Sequence, residues 1–508
     1  MNLGMLLDMA ADGFGDRVVI GRRADGITAS GLHARAATGA QLIAQSGADA
    51  VVYLATNGPA FPVALFAAAR AGVPLVPVNY RLGKEQLEAL LANHPHGLGI
   101  AGTDEEAALL ASHGLSVRSP SEWLEITAKP ADEPADDVFI DPASPAVIIY
   151  TSGSTAAPKG VVLRHTNLAS YVLTSVEFGG AGPDDAALVS VPPYHIAAVA
   201  NAITNLYAGR RALILEQFTA EQWIDLVRSE GVTNALVVPT MLKRILDSKV
   251  DLSLPSLRTL AYGGAPMPAA VIERALEAWP QVDFVNAYGL TETSSTVAVL
   301  GPDDHRAAIA SDEPHVRARL ASVGRALPSI EIEIRDADDQ PVSAGTKGRI
   351  WVRGAQVSAE YLGQGSAVDA GGYFDTRDEG YLDAEGYLFV AGRADDTIIR
   401  GAENIAPAEI EDVLLRHPFV ADAVVVGLPH EEWGQSIEAA VVLSADIDGD
   451  DEAEQELREH VRAALRSSKT PDRVWIWDEL PRTETGKLVR RDVTARILAD
   501  RTTTSSPA

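Results

Sequence analysis

Tyr150-Thr-Ser-Gly-Ser-Thr-Ala-Ala-Pro-Lys159-Gly160 follows the apolar run Ala146-Val-Ile-Ile149. The apolar run reads as a buried strand. The stretch after it is a row of hydroxyls ending in one lysine, a composition suited to holding phosphate. Backbone N–H groups and Ser/Thr hydroxyls donate to phosphate oxygens, and the ammonium neutralises their charge. Taken alone, such a stretch reads equally well as a surface turn. The segments around it decide.

Downstream, Ala235-Leu-Val-Val238 is strand-like and ends at Pro239, with a helical pattern from Met241. Leu260-Ala-Tyr262 runs into Gly263-Gly264-Ala265-Pro266 and a helical stretch from Ala269 to Trp279. Phe284-Val-Asn-Ala287 enters Tyr288-Gly289. Repeated strand, polar loop and helix predict α/β layers with ligand loops at strand ends. From Val323 the texture changes. Ile330-Glu-Ile-Glu-Ile-Arg335 and Arg349-Ile-Trp-Val-Arg353 alternate strictly, which predicts a small antiparallel sheet, barrel-like in form. A compact α+β unit follows Gly392-Arg393. The expected boundary is Ala394–Asp395, dividing residues 1–394 from a small unit at 395–508. The tail 502–508 is expected to be disordered.

The chain has 508 residues, 46% hydrophobic and 22% charged, with a formal net charge of -28. That length exceeds one core. The acidity argues against nucleic acid, which needs a basic face. An anionic ligand must be captured by local cations and loop amides. There is no cysteine, so thiolate chemistry on the protein is excluded and any thioester sulfur comes from outside. Ala60 to Val78 is broken by Arg70, Gly72, Pro74 and Pro77, so it reads as helix then strand rather than a membrane span. The opening residues lack a secretory signal, and a cytoplasmic location is the expectation.

Five further segments accompany the first: Pro192-Pro-Tyr-His195, Tyr262-Gly-Gly-Ala-Pro266, Asn286-Ala-Tyr-Gly-Leu-Thr-Glu292, Gly372-Tyr-Phe-Asp-Thr-Arg-Asp378, and Gly392-Arg393 through Glu411. A last block is Leu480-Pro-Arg-Thr-Glu-Thr-Gly-Lys487. In this order the set resembles the adenylate-forming superfamily, and within it the acyl-CoA ligases, over about Ala60 to Arg491. The resemblance implies a carboxylic acid joined to AMP from ATP, then transferred to coenzyme A, with Mg²⁺ as metal. It implies that Thr151, Ser152, Ser154, Thr155 and Lys159 cradle the β/γ phosphates. Tyr288 would stack on adenine, in a pocket with Asn286, Ala287, Gly289, Gly264 and Ala265. Thr291 would donate to the α-phosphate, and Glu292 would hold the metal. Asp378 would accept from the ribose hydroxyls, beside Arg393. Lys487, on a mobile lid domain at 395–508, would reach the α-phosphate during adenylation only, and Asp395 would be the hinge. His195 would sit where the acyl and thiol channels meet, and Gly401 and Ala402 would line the pantetheine path.

The expected acyl pocket comprises His195, Ala198, Val238, Gly264 and Ser294. Several small residues there imply a roomy apolar site for a bulky acid or its adenylate. Other expected partners are a separate adenylating enzyme or a second copy of the chain. Three positions depart from the family pattern: Ala156, Arg377 and Ala402 each stand where glycine is usual. Arg349 replaces a usual Glu, and Ala198 a usual Gly. Ala156 and Arg377 lie on the nucleotide side, so a protein restricted to acyl-AMP plus CoA is one alternative. An adenylation enzyme loading a carrier protein is a second, although 192–200 holds no Asp for a substrate ammonium. A non-catalytic nucleotide-binding protein is a third. A Walker-type NTPase is disfavoured because Lys159 precedes Gly160 rather than Ser or Thr.

Overall fold

The computed structural model describes residues 1–130, 139–151, 158–400, 403–430, 433–444, 451–465, 467–483 and 488–504. Two large sheets dominate. The first has eight strands, with Pro145–Thr151, Leu75–Pro77, Val51–Leu54, Leu98–Ala101 and Ser116–Arg118 running parallel. Lys159–Arg164 pairs antiparallel with Pro145–Thr151, and the short strands Glu360–Tyr361 and Gly365–Ser366 extend that edge. The second has nine strands, parallel from Val18–Ile20 through Arg211–Ile214, Ala186–Val189, Asn234–Val237 and Thr259–Gly263 to Asp283–Leu290. Ser295–Leu300 closes it as an antiparallel hairpin.

Near-continuous Val/Ile/Leu runs suit strands covered on both faces. The covering helices belong to a core shared by both sheets: Val51 and Val147 of one, Val189 and Ala212 of the other. Ala60 to Ala69 of the helix Ala60–Ala71 are all buried. That apolar stretch is an internal helix, and its chain turns at Gly72, φ 74°, into the strand Leu75–Pro77. Among the described residues, no helix is long and apolar enough to cross a membrane.

The alternating segments form a four-stranded antiparallel sheet of Ile330–Arg335, Gly348–Gly354, Phe374–Leu382 and Leu388–Arg393. A single turn, Ala394–Asp396, leads from it to the C-terminal unit. There Val420–His430 and Gly434–Leu443 make a long hairpin, with Arg473–Ile476 parallel to the second strand. The helices Pro407–Leu415, Asp451–Ala464 and Arg490–Thr504 belong to the same unit.

The last helix runs to Thr504. Val493 and Ile497 anchor it in the core, and extending an existing helix costs no new nucleation. One expectation needs correction: the strand entered at Phe284 does not end before Tyr288. It continues to Leu290, because Ser295–Leu300 pairs with it around a bulge at Tyr288/Gly289.

Candidate active site

The hairpin Pro145–Thr151/Lys159–Arg164 places Thr151 opposite Lys159. The loop thus runs from strand to strand. Ser152, Ser154, Thr155 and Ala156 lie outside the described residues, as do Gly401, Ala402 and Lys487; of Asp395 only the backbone is described. The Lys159 ammonium stands 5.6 Å from the centre of the Tyr361 ring.

The strand Asp283–Leu290 leads directly into a one-turn 3-10 segment, Thr291–Thr293. Thr293 shapes it: its hydroxyl oxygen accepts from Leu290 N at 2.9 Å and lies 2.7 Å from the Ser295 carbonyl. Ser294 and Ser295 then adopt φ of 55° and 107°. The buried Gln356 amide donates to the carbonyls of Thr293 (3.1 Å) and Thr296 (2.7 Å). Glu292 projects from this turn, and its Oε1 accepts from Tyr361 Oη at 2.9 Å.

Beside the turn lies a compact polar group. Tyr288 Oη donates to Asp378 Oδ2 at 2.6 Å. Arg393 Nη1 donates to Asp378 Oδ1 and to the Thr376 carbonyl, both at 3.2 Å. The Asp378 amide donates to Thr376 Oγ1 at 3.1 Å. Burial, then the charge of Asp378 and its hydrogen bond, push the Tyr288 phenol well above its ordinary value. It is therefore a permanent donor. Two residues expected on opposite parts of a nucleoside are thus directly bonded. Asn286 Nδ2 donates to the Ser322 carbonyl at 3.1 Å.

Gly263 and Gly264 have different reasons. A Cβ at Gly263 would meet the Ala287 carbonyl oxygen at 2.3 Å, so the adjoining strands demand its absence. Gly264 has φ 79° and is exposed, and a Cβ there would lie 3.7 Å from Val238 Cγ1. Val238 and Gly264 therefore share a wall, with half-buried Ala265 next in the chain. His195 precedes the helix Ile196–Ala208. Its ring lies 5.4 Å from Tyr194, which packs edge-on to Tyr80 at 5.5 Å.

Two residues of the expected acyl pocket are buried. Ala198 is 2% exposed, because its helix is packed into the core between the sheets. Ser294 is fully covered, with its hydroxyl donating to the Gln356 carbonyl at 2.8 Å. Neither side chain faces open space. A cavity of about 750 Å³ bounded by Ile27, Arg35, Leu124, Leu213 and Leu226 contains none of the expected site residues.

The departures have structural correlates. Arg349 Nη1 pairs with Asp375 Oδ2 at 2.6 Å. Arg377 is exposed, with φ 60°, and its amide donates to Asp375 Oδ1 at 2.8 Å. Sequence reading missed Tyr361 and Gln356. Glu360-Tyr361-Leu362-Gly363 carries no spacing that separates it from an ordinary strand end.

Among the described residues, no group of three or more His, Asp or Glu could enclose a metal. A lone carboxylate is nevertheless a usual protein contribution to Mg²⁺, which takes its other ligands from substrate phosphate and water. Half-buried Glu292, with one oxygen already held by Tyr361, fits that pattern.

The AMP-binding enzyme family matches residues 7–362, and the AMP-binding enzyme C-terminal domain matches 409–487. The chain is 35% identical to a feruloyl-CoA synthase of an Amycolatopsis species, covering 91% of this chain and 92% of that one. It is 31% identical to the fatty acid–[acyl-carrier-protein] ligase ScoC of Streptomyces coeruleorubidus, over 89% and 87%. It is 32% identical to an indoleacetate–CoA ligase of Aromatoleum aromaticum, over 93% of each. ATP-bound MatB of Rhodopseudomonas palustris superposes with a TM-score of 0.86 at 26% identity, over 98% and 99%. MenE of Bacillus subtilis, in complex with the acyl-adenylate OSB-AMP, superposes with 0.81 at 28%, over 96% and 97%. With more than half its length matched and the two sheets, small sheet and C-terminal unit in place, the chain belongs to the AMP-binding enzymes of the adenylate-forming superfamily, AMP-forming acid–thiol ligases.

Proposed function

We propose that this protein is a carboxylic acid–CoA ligase that works through an acyl-AMP intermediate. The observation that carries the reading is the joined set Tyr288, Asp378 and Arg393 beside the Thr291–Glu292 turn. It offers an aromatic face, a buried carboxylate and a cation next to a turn suited to phosphate. In the first half-reaction a carboxylate oxygen attacks the α-phosphorus, and the bond to the β-phosphate oxygen breaks to release pyrophosphate. In the second, the thiol sulfur of coenzyme A attacks the acyl carbon and AMP leaves with the bonding pair.

Thr291 donates to the α-phosphate, and Lys159 with Thr151, Ser152, Ser154 and Thr155 neutralises the polyphosphate. Asp378 accepts from the ribose. Lys487 serves adenylation only. Glu292 would hold Mg²⁺, which supplies charge neutralisation on the phosphates. Residues 1–394 act as the fixed part and 395–508 as a lid turning about Asp395, which brings Gly401 and Ala402 to the thiol path. ATP and CoA as co-substrates make the cytoplasm the proposed compartment.

The acid we propose is bulky, apolar and aromatic. The Val238–Gly264 wall suits an apolar body. Feruloyl-CoA synthase and indoleacetate–CoA ligase, among the relatives, are named for aromatic acids. One observation favours a second reading, a protein confined to acyl-AMP plus CoA: Arg377 places a bulky side chain in left-handed backbone beside Asp378.

The test is a panel of aromatic and aliphatic acids with ATP, followed by synthetic acyl-AMP with CoA. Pyrophosphate release and thioester formation with an aryl acid establish the ligase. Thioester from acyl-AMP alone establishes the second reading. Neither product refutes both.

A further inference from the structure

We propose that Tyr361 is a positioning residue that yokes the phosphate-loop lysine to the metal-side turn, so that Lys159 and Glu292 are set together before nucleotide arrives. This rests on the ligase reading above.

Tyr361 pairs with Val161 on the strand that leaves the phosphate loop, and Leu362 N donates to the Gly160 carbonyl at 2.8 Å. The preceding residues reach the other side. Ser358 N and Ala359 N both donate to the Glu292 carbonyl, at 2.9 and 3.1 Å. The segment from Gln356 to Leu362 is thus hydrogen-bonded at one end to the Thr291–Thr293 turn and at the other to the loop's exit strand. A two-pronged ion pair fixes it further: Arg164 Nε and Nη2 meet Glu360 Oε2 and Oε1, each at 2.8 Å. Ala359 holds φ 47° within it. Such backbone persists only where the surroundings over-determine it.

The side chain then joins two charges of opposite sign. Its ring carries the Lys159 ammonium at 5.6 Å, a cation–π distance. Its hydroxyl donates to Glu292 Oε1 at 2.9 Å. A donor on one oxygen fixes the carboxylate rotamer and leaves the other oxygen aimed away from the tyrosine. Among the described residues, no hydrogen bond engages that second oxygen. Fixing a ligand carboxylate from behind removes ordering cost from metal–nucleotide binding.

A tyrosine that merely packs would lose little when its hydroxyl is removed. A yoke would not. The experiment compares the full-length protein with Tyr361→Phe in two measurements. Electron paramagnetic resonance reads Mn²⁺ binding to the ATP-saturated protein. Paired assays give the ratio of pyrophosphate release (acid plus ATP) to thioester formation (synthetic acyl-AMP plus CoA). We expect Mn²⁺ affinity and that ratio each to fall about tenfold. On a Glu292→Gln background the same substitution should produce no further loss of Mn²⁺ affinity, because the bonded carboxylate is already gone. Unchanged Mn²⁺ affinity, an equal fall of both half-reactions, or a Tyr361→Phe chain that cannot fold would each overturn the proposal. Wild-type protein that forms neither product would refute the ligase reading instead, while the Mn²⁺ comparison would still decide the yoke.

Discussion

Arg377 shows how one side chain can sit against the backbone that carries it. Its φ of 60° lies in the left-handed region, where an L-residue's Cβ costs roughly 1–2 kcal/mol. The surroundings impose it. The strand Phe374–Leu382 slips register against Gly348–Gly354 near Ile350, and Thr376 Oγ1 donates to the Ile350 carbonyl at 2.8 Å. The Arg377 amide is held by Asp375. Arg377→Gly should raise stability by up to about 1 kcal/mol, the relief of strain being partly offset by a more flexible unfolded chain; chemical denaturation measures it. Arg377→Ala keeps the strain but removes the guanidinium. If that group hinders adenylation, both variants release pyrophosphate faster than wild type. If only the glycine variant changes, backbone strain is responsible. The sequence marks this position as a departure, but the sign of φ follows from a bulge between strands about 25 residues apart, beyond local reading.

At the scale of elements, the hairpin Asp283–Leu290/Ser295–Leu300 sets the site. It carries Tyr288 on one strand and turns at Thr291–Glu292. Gly289 is its tightest point, since a Cβ there would stand 1.8 Å from the Ser295 carbonyl oxygen. Gly289→Ala should therefore cost about 3 kcal/mol or abolish soluble expression, read by thermal unfolding. Gly264→Ala, where the space is open but φ is 79°, should cost about 1 kcal/mol and narrow the wall beside Val238. Acid-panel KM values should rise most for the bulkiest acids. Local reading placed the strand entering Asn286. It ended the strand early because Asn-Ala-Tyr-Gly is turn-like in composition, and its partner is recognised only after folding. The strap from Gln356 to Tyr361 was missed for a related reason. It acts through contacts with Gly160 and Glu292, some 200 and 65 residues away in sequence, and no periodicity records such contacts.

Across the whole molecule, buried histidines make folding sensitive to acid. His165 is fully buried, and its Nδ1 accepts at 3.3 Å from the N of Leu3, the first residue of the helix Leu3–Phe14. Burial first, then the N-terminal ammonium, lowers its pKa from 6.5 to about 4. The unfolded chain therefore binds the extra proton first. Stability from this group is complete above pH 6.5, falls as pH drops through that value, and is lost near pH 4, amounting to about 3 kcal/mol. His165→Gln should flatten that part of the stability–pH curve measured by denaturant unfolding. It will not erase the slope, because burial shifts His94 and His305 in the same direction.

The sequence alone determined the α/β layering, the antiparallel small sheet and the α+β C-terminal unit. Those features rest on local periodicity, turn chemistry and motif spacing. Only the tertiary structure decided that Tyr288 is bonded to Asp378, that Ala198 and Ser294 are covered, that Arg377 is left-handed, and that Tyr361 stands between Lys159 and Glu292. The physical reason is the same for each. Hydrogen bonds, burial and imposed dihedrals depend on which distant strands come to lie side by side, and a linear pattern carries the tendency to form a strand but not the neighbour it meets.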